Sequence, residues 1–302
     1  MKNLWNGRLD SFEEIDLRFW QVIKDINAHI EDSNKKSFCF IGYDTDNGVI
    51  KNLGRGGAKE GPNAIRKAMQ SFPIIEKVNL YDYKNLSVHT TEEAQEEYSN
   101  KMKKLLDMNI FPIGLGGGHD ITYASYLGIR KAFPNKKIGI INFDAHLDIR
   151  PYDNGRTSGT SFKEILDTDK NVNYCIIGFQ NCGNTKRLID TANKYNTLIL
   201  PEFLDEHEII EKTNKFIENV DIVYVTFCMD VFDASIAPGV SAPTALGLDG
   251  KKGLNIFLSI LDKKNTIALD FAEVNPTFDI DNRTSKLTAR FIYEAINKLK
   301  TK

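Results

Sequence analysis

Short apolar runs recur along the chain, each closed by glycines or polar residues, and amphipathic stretches separate them. The runs at 37–42, 78–81, 109–115, 138–141, 174–178, 197–200, 222–226 and 266–270 have the length and composition of buried strands. Between them, helical patterns occupy 91–108, 120–132, 185–195, an acidic stretch reaching 218, and 284–300, whose basic end suits a helix C-terminus. A further helix is predicted over 11–33, where Phe12, Ile15, Leu17, Phe19, Val22, Ile23 and Ile26 are interleaved with acids. Pro62 opens another through Ile65, Ala68 and Met69, as proline does at a first helical position. Eight strands alternating with helices predict an α/β fold, a mostly parallel sheet with helices packed on its faces. No repeat, low-complexity tract or linker breaks the alternation, so residues 1–302 are read as one domain.

Composition narrows the partners. With 39 Lys+Arg against 41 Asp+Glu, the net charge of −2 leaves no polyanion footprint, and no nucleic-acid partner is expected. The hydrophobic content of 41% is that of an ordinary globule, and no apolar run approaches a membrane span. Residues 1–5 lack the basic start and apolar stretch of a signal peptide. The four cysteines, Cys39, Cys175, Cys182 and Cys228, have neither disulfide-scaffold nor zinc-finger spacing, so a reducing cytoplasm is expected. The glycine-rich loop at 52–62 lacks the Lys-Ser/Thr pair of a P-loop, which argues against nucleotide phosphate.

In open parallel sheets, ligands bind at the carboxyl ends of the strands. The polar motifs fall there. His119 follows the third predicted strand, in Gly116-Gly117-Gly118-His119-Asp120. Asp144, His146 and Asp148 follow the fourth, at spacings of two, so an extended chain turns all three the same way. Cys228 and Asp230 follow the seventh, and Glu273 the eighth, in Glu273-Val274-Asn275-Pro276. Singly these residues read as a capping histidine, an Asx turn and a solvated loop acid. Together they are a set of oxygen and nitrogen donors suited to a divalent metal.

The set resembles the ureohydrolase superfamily of arginases and agmatinases, and the resemblance spans nearly the whole chain. That family carries Gly-Gly-x-His, Asp-Ala-His-x-Asp, Ser-x-Asp-x-Asp and Glu-Val-Asn-Pro motifs. The resemblance implies a three-layer α/β/α sandwich with two Mn2+ ions. It implies that His119 and Asp148 hold one metal, His146 and Asp230 the other, and that Asp144 bridges them. Glu273 would grip the amidine nitrogens of a small-molecule substrate. A metal-activated hydroxide would attack the amidine carbon, and Asp230 would relay the proton to the leaving nitrogen. A homo-oligomer is a fair expectation by the same analogy.

Within the superfamily, Gly118 before the histidine, Asn52 to Arg55, His146 to Pro151, Ser158-Gly159-Thr160, Gly178-Phe179-Gln180 and Ala237 to Pro243 resemble the formimidoylglutamase branch. That branch hydrolyses N-formimidoyl-L-glutamate to glutamate and formamide in histidine degradation. Such a substrate carries two carboxylates and no free α-amine. Arg150 lies two residues past a ligand, where arginases have a neutral amide, and a guanidinium there takes a carboxylate bidentately. The ordinary alternative for Arg150 is a surface salt bridge. Arg55 is a candidate for the second carboxylate, and Ser158 is also assigned to substrate. The loop at 180–183 lacks the carboxylate that arginases direct at a substrate amine, and Phe162 stands near their catalytic histidine. Cys228 departs from the family, which has a bridging aspartate there. A thiolate suits manganese poorly, so the second ion is expected to bind weakly. Two alternatives stay open: another guanidino or amidino acid as substrate, or a relative that binds a ligand without turning it over. Cys39 and Cys228 could form a disulfide if their Cβ atoms come within about 4.5 Å.

Overall fold

Nine parallel strands form one sheet in a computed structural model that describes residues 4–28, 30, 34–88, 90–263 and 265–301. They are β1 (Lys24–Asp25), β2 (Lys36–Tyr43), β3 (Val78–Asp82), β4 (Phe111–Gly116), β5 (Ile138–Phe143), β6 (Val172–Phe179), β7 (Leu198–Pro201), β8 (Ile222–Cys228) and β9 (Thr266–Ala272). Their order across the sheet is β1-β3-β2-β4-β9-β8-β5-β6-β7. The helices are α1 (Phe19–Val22), α2 (Asn47–Lys51), α3 (Gly61–Met69), α4 (Thr91–Asp107), α5 (Ile121–Ala132), α6 (Ser161–Thr168), α7 (Lys186–Lys194), α8 (Glu206–Ile217), α9 (Gly250–Leu261) and α10 (Arg283–Leu299).

Strand alternation builds two cores. In β8, Val223, Val225 and Phe227 point to the core under α3, α8, α9 and α10. Ile222 and Tyr224 point to the opposite core under α4 to α7. Both faces of the sheet are therefore apolar, as a fully covered parallel sheet requires. Helices on both sides make the three layers. On the first face Phe227 stacks on Phe143 at 4.1 Å and meets Phe257, Phe271 and Phe291 at 5.0, 5.1 and 5.5 Å. Phe143, Phe227 and Phe271 sit one or two residues before Asp144, Cys228 and Glu273, and with Phe257 and Phe291 packed on them they fix the strand ends.

The strand count exceeds the eight predicted because Lys24–Asp25 joins the sheet edge as β1. That strand falls inside the helix predicted over 11–33, which does not form. Among the described residues there, only a 3-10 turn (Glu14–Asp16) and the four-residue α1 are helical; His29 and 31–33 lie outside them. The backbone is drawn off by tertiary pairing: Phe19 N donates to Phe72 O at 2.9 Å, and Ile74 N to Leu17 O at 3.0 Å. Phe12 and Ile15 are left 82% and 86% exposed, so their helical spacing serves no core. Three helices were not predicted. Asp249 caps α9 by accepting from Lys251 N and Lys252 N, a signal present in the sequence. The other two, α2 and α6, are short.

The disulfide between Cys39 and Cys228 is excluded. Cys39 is in β2 and Cys228 ends β8, with β4 and β9 between them. Three strand spacings separate them by about 14 Å, far beyond a disulfide's reach. All four cysteines are free thiols.

Candidate metal centre

The four strands β4, β9, β8 and β5 are neighbours at the centre of the sheet, and the carboxyl end of each delivers part of one constellation. After β4 the chain turns through Gly116-Gly117-Gly118 to His119. Gly117 N donates to Tyr43 O at 2.8 Å, and a Cβ on Gly117 would stand 2.0 Å from Thr45 O. Only glycine permits this approach. After β5, Asp144 Oδ1 accepts from His146 N at 2.7 Å, and Asn184 accepts from Leu147 N while donating to Ala145 O. Two of the candidate residues hold positive φ without being glycine: Asp148 at 48° and Glu273 at 67°. Strain of this kind persists where the surroundings over-determine it, commonly at functional sites.

Two triads result. His119, Asp144 and Cys228 bring their donor atoms within 4.8 Å of one another, and so do Asp144, His146 and Asp230. Asp144 belongs to both. His119 Nδ1 lies 3.0 Å from an oxygen of Asp144 and 3.0 Å from one of Asp148. His146 Nδ1 lies 3.5 Å from Asp144 and 3.3 Å from Asp230. All but His146 are almost fully buried or nearly so, and Cys228 stands on the His119 side of the shared carboxylate.

The electrostatics call for a cation. Burial opposes charge on both imidazoles, yet their carboxylate neighbours outweigh it. Asp144 and Asp148 hold His119 well above its ordinary pKa, and Asp230 with Asp144 pushes His146 up to about 12. Burial and then Asp144 raise Asp148 to about 6, while burial and then Asp230 raise Glu273 to about 8. Asp230 is raised by burial and Asp144, and the Cys228 thiol by burial and the surrounding carboxylates. Asp144 alone is lowered: burial works against its charge, but the two imidazoles overcome it. Protons thus do the neutralising that a bound cation could do. Asp230 Oδ1 and Glu273 Oε2 are buried with no hydrogen-bond partner, which further fits a group held here. The donor set, mostly carboxylate and imidazole, suits divalent first-row ions, with Cys228 the one soft ligand.

The triads open into a cleft of about 280 Å³, at the small-metabolite end of ligand pockets. His119, His146, Asp148, Cys228, Asp230 and Glu273 line it, as do Arg150, Ser158 and Arg55. Arg150 is exposed and makes no ion pair among the described residues, against the surface salt bridge weighed for it. Arg55 is more committed: it donates to Val240 O and Ser241 O and lies 3.9 Å over the Phe278 ring. Ser158 accepts from Asn52 Nδ2 at 3.2 Å. Phe162 is buried, edge-on to His119 at 5.9 Å, and offers no proton shuttle. Sequence reasoning missed Asn184, Asn142, Thr226 and Asp270, all buried and bonded to the site or its supports. Polar residues inside otherwise apolar runs were the available signal for the last three.

Comparison with known proteins agrees. The arginase family model matches residues 36–297. The chain is 41% identical to a formimidoylglutamase of Staphylococcus carnosus, covering 98% of both chains. It is 40% identical to a formimidoylglutamase of Geobacillus sp. strain WCH70, covering 98% of this chain and 94% of the relative. The crystal structure of Trypanosoma cruzi formiminoglutamase with Mn2+ superposes with a TM-score of 0.82 at 25% identity, over 88% of this chain and 94% of that one. With its parallel sheet, its motifs at four adjacent strand ends and these likenesses over nearly its full length, the chain belongs to the arginase family.

Proposed function

We propose that the protein is a manganese-dependent hydrolase that converts N-formimidoyl-L-glutamate and water to L-glutamate and formamide. The observation that carries this reading is the pair of triads sharing Asp144 beside a cleft lined by an arginine that makes no ion pair among the described residues. The relatives named above and the T. cruzi structure with Mn2+ support the substrate and the metal.

His119, Asp148 and Cys228 would hold one ion, His146 and Asp230 the other, with Asp144 common to both. When bound, two such ions would supply a hydroxide nucleophile at neutral pH. The chain's own groups place the substrate around it. Glu273 Oε1 is occupied by His119 N at 2.9 Å, which leaves Oε2 to accept an N–H of the formimidoyl group. Arg150 offers a bidentate fork to a substrate carboxylate, and Ser158 a hydroxyl beside it. Arg55 has one guanidinium edge engaged with backbone and serves the second carboxylate only in part. Attack on the formimidoyl carbon breaks its bond to the glutamate nitrogen. Asp230, with one buried oxygen unpartnered, takes a proton from the attacking water and passes it to that departing nitrogen.

The test is release of formamide and glutamate from N-formimidoyl-L-glutamate with Mn2+ and a thiol reductant, against arginine and agmatine as alternative substrates. Metal-dependent turnover lost in His146→Ala supports the reading. No product from any substrate, alongside ligand-dependent thermal stabilisation, would favour a binding protein disabled at Cys228.

A further inference from the structure

Three polar residues cross the sheet in a row beneath the triads. Asn142 of β5 is the register partner of Thr226 of β8, and Thr226 of Asp270 of β9. All three are fully buried. Asp270 gathers hydroxyl donors from Ser125 at 2.6 Å, from Thr226 at 2.5 Å and from Tyr224. No ion pair reaches it among the described residues. A buried carboxylate held by hydroxyls alone is an expensive feature to keep in a core. What it does to Thr226 explains it.

Thr226 has one O–H, and that proton is committed to Asp270. Toward His119, whose Nε2 lies 3.1 Å away, its oxygen can therefore only accept. Acceptance requires a proton on Nε2. In a neutral imidazole the other nitrogen then carries the lone pair. That nitrogen, Nδ1, is the one facing Asp144 and Asp148. The Thr122 hydroxyl, 3.1 Å from Thr226, and the Phe162 edge hold the same corner.

We infer that Thr226, oriented by Asp270, is a positioning residue that fixes the tautomer and ring direction of His119. It thereby sets the cation affinity of the His119 side of the centre while leaving the His146 side alone. The inference rests on the two-ion reading above. Thr226→Val keeps the shape and removes the hydroxyl, and Thr226→Ser restores it.

The experiment titrates Mn2+ into the metal-free proteins, follows free Mn2+ by electron paramagnetic resonance, and records the melting temperature of each metal-free protein. Thr226→Val should weaken one of two ions by about 10- to 100-fold, the usual effect of losing an outer partner of a metal-bound histidine. The other ion should keep its affinity, and Thr226→Ser should match wild type. Ser125→Ala, which takes a donor from Asp270 without touching Thr226, should also bind both ions normally. If Thr226→Val does not fold, Thr226→Ala takes its place. A lower melting temperature with both affinities intact would make Thr226 a core hydroxyl and overturn the inference. Equal weakening by Ser125→Ala would do the same. Wild type binding no Mn2+ would instead overturn the two-ion reading itself.

Discussion

At the scale of single residues, Arg150 and Cys228 line the cleft and carry the sharpest expectations for substrate and metal. Arg150 lines the cleft with no acidic partner among the described residues, so its charge is available to a ligand. A charge-assisted bidentate contact contributes about 1.5–3 kcal/mol, so Arg150→Ala should raise KM for formimidoyl-glutamate by roughly 10- to 100-fold with kcat little changed. Arg150→Lys should recover only part, because a point charge cannot form the fork. Steady-state kinetics checks this, and an unchanged KM would remove Arg150 from the substrate site. Cys228 presents sulfur to a site otherwise built of oxygen and nitrogen. Cys228→Asp should tighten Mn2+ binding and lower the relative preference for Zn2+, since carboxylate suits the harder ion. Competition dialysis of the two metals measures the shift, and a looser Mn2+ site in the variant would count against ligation by Cys228.

At the scale of elements, the ligands are only as well placed as the strand ends beneath them. Phe227, between Thr226 and Cys228, touches Phe143, Phe257, Phe271 and Phe291 and is fully buried. Phe227→Ala should cost about 3–5 kcal/mol of stability, read as a fall in urea midpoint. It should also weaken Mn2+ binding, because β5 and β8, which carry metal ligands, meet at that ring beside β9; a loss of stability alone would show the strand ends to be independently fixed. Eight of the nine strands were legible in the sequence because each is a short apolar run, and those of β4, β5, β8 and β9 are followed within a few residues by His119, Asp144, Cys228 and Glu273. The helix predicted over 11–33 shows the opposite case. Its spacing was helical, but hydrogen bonds to residues 70–74 and the sheet edge outbid it. Pairing between segments some fifty residues apart leaves no periodic trace in either. Thr226 and Asp270 stood out as polar residues in apolar runs, but their roles were illegible for a related reason: they depend on β8 lying beside β9, which is a fact of sheet order and not of spacing.

At the scale of the whole molecule, the buried centre ties stability to pH and metal. Glu273 moves from 4.5 to about 8 and His146 from 6.5 to about 12 on folding. Both shifts mean that the folded, metal-free protein holds more protons than the unfolded chain between pH 6.5 and 8. Its stability therefore falls as pH rises through that window. A divalent cation displaces those protons on binding. The melting temperature of metal-free protein should drop from pH 6.5 to 8, and the rise on adding Mn2+ should be larger at pH 8. Equal Mn2+ shifts at both pH values would contradict the protonation scheme. The sequence's near-neutral balance of 39 basic and 41 acidic residues held no hint of this, because the charges that matter are gathered by the fold.

The most direct measurement is formamide release plotted against Mn2+ bound per chain, from metal-free protein to saturation. Two triads sharing Asp144 predict that turnover follows the second ion and levels off at two ions per chain. Full turnover with one ion or none would contradict the account.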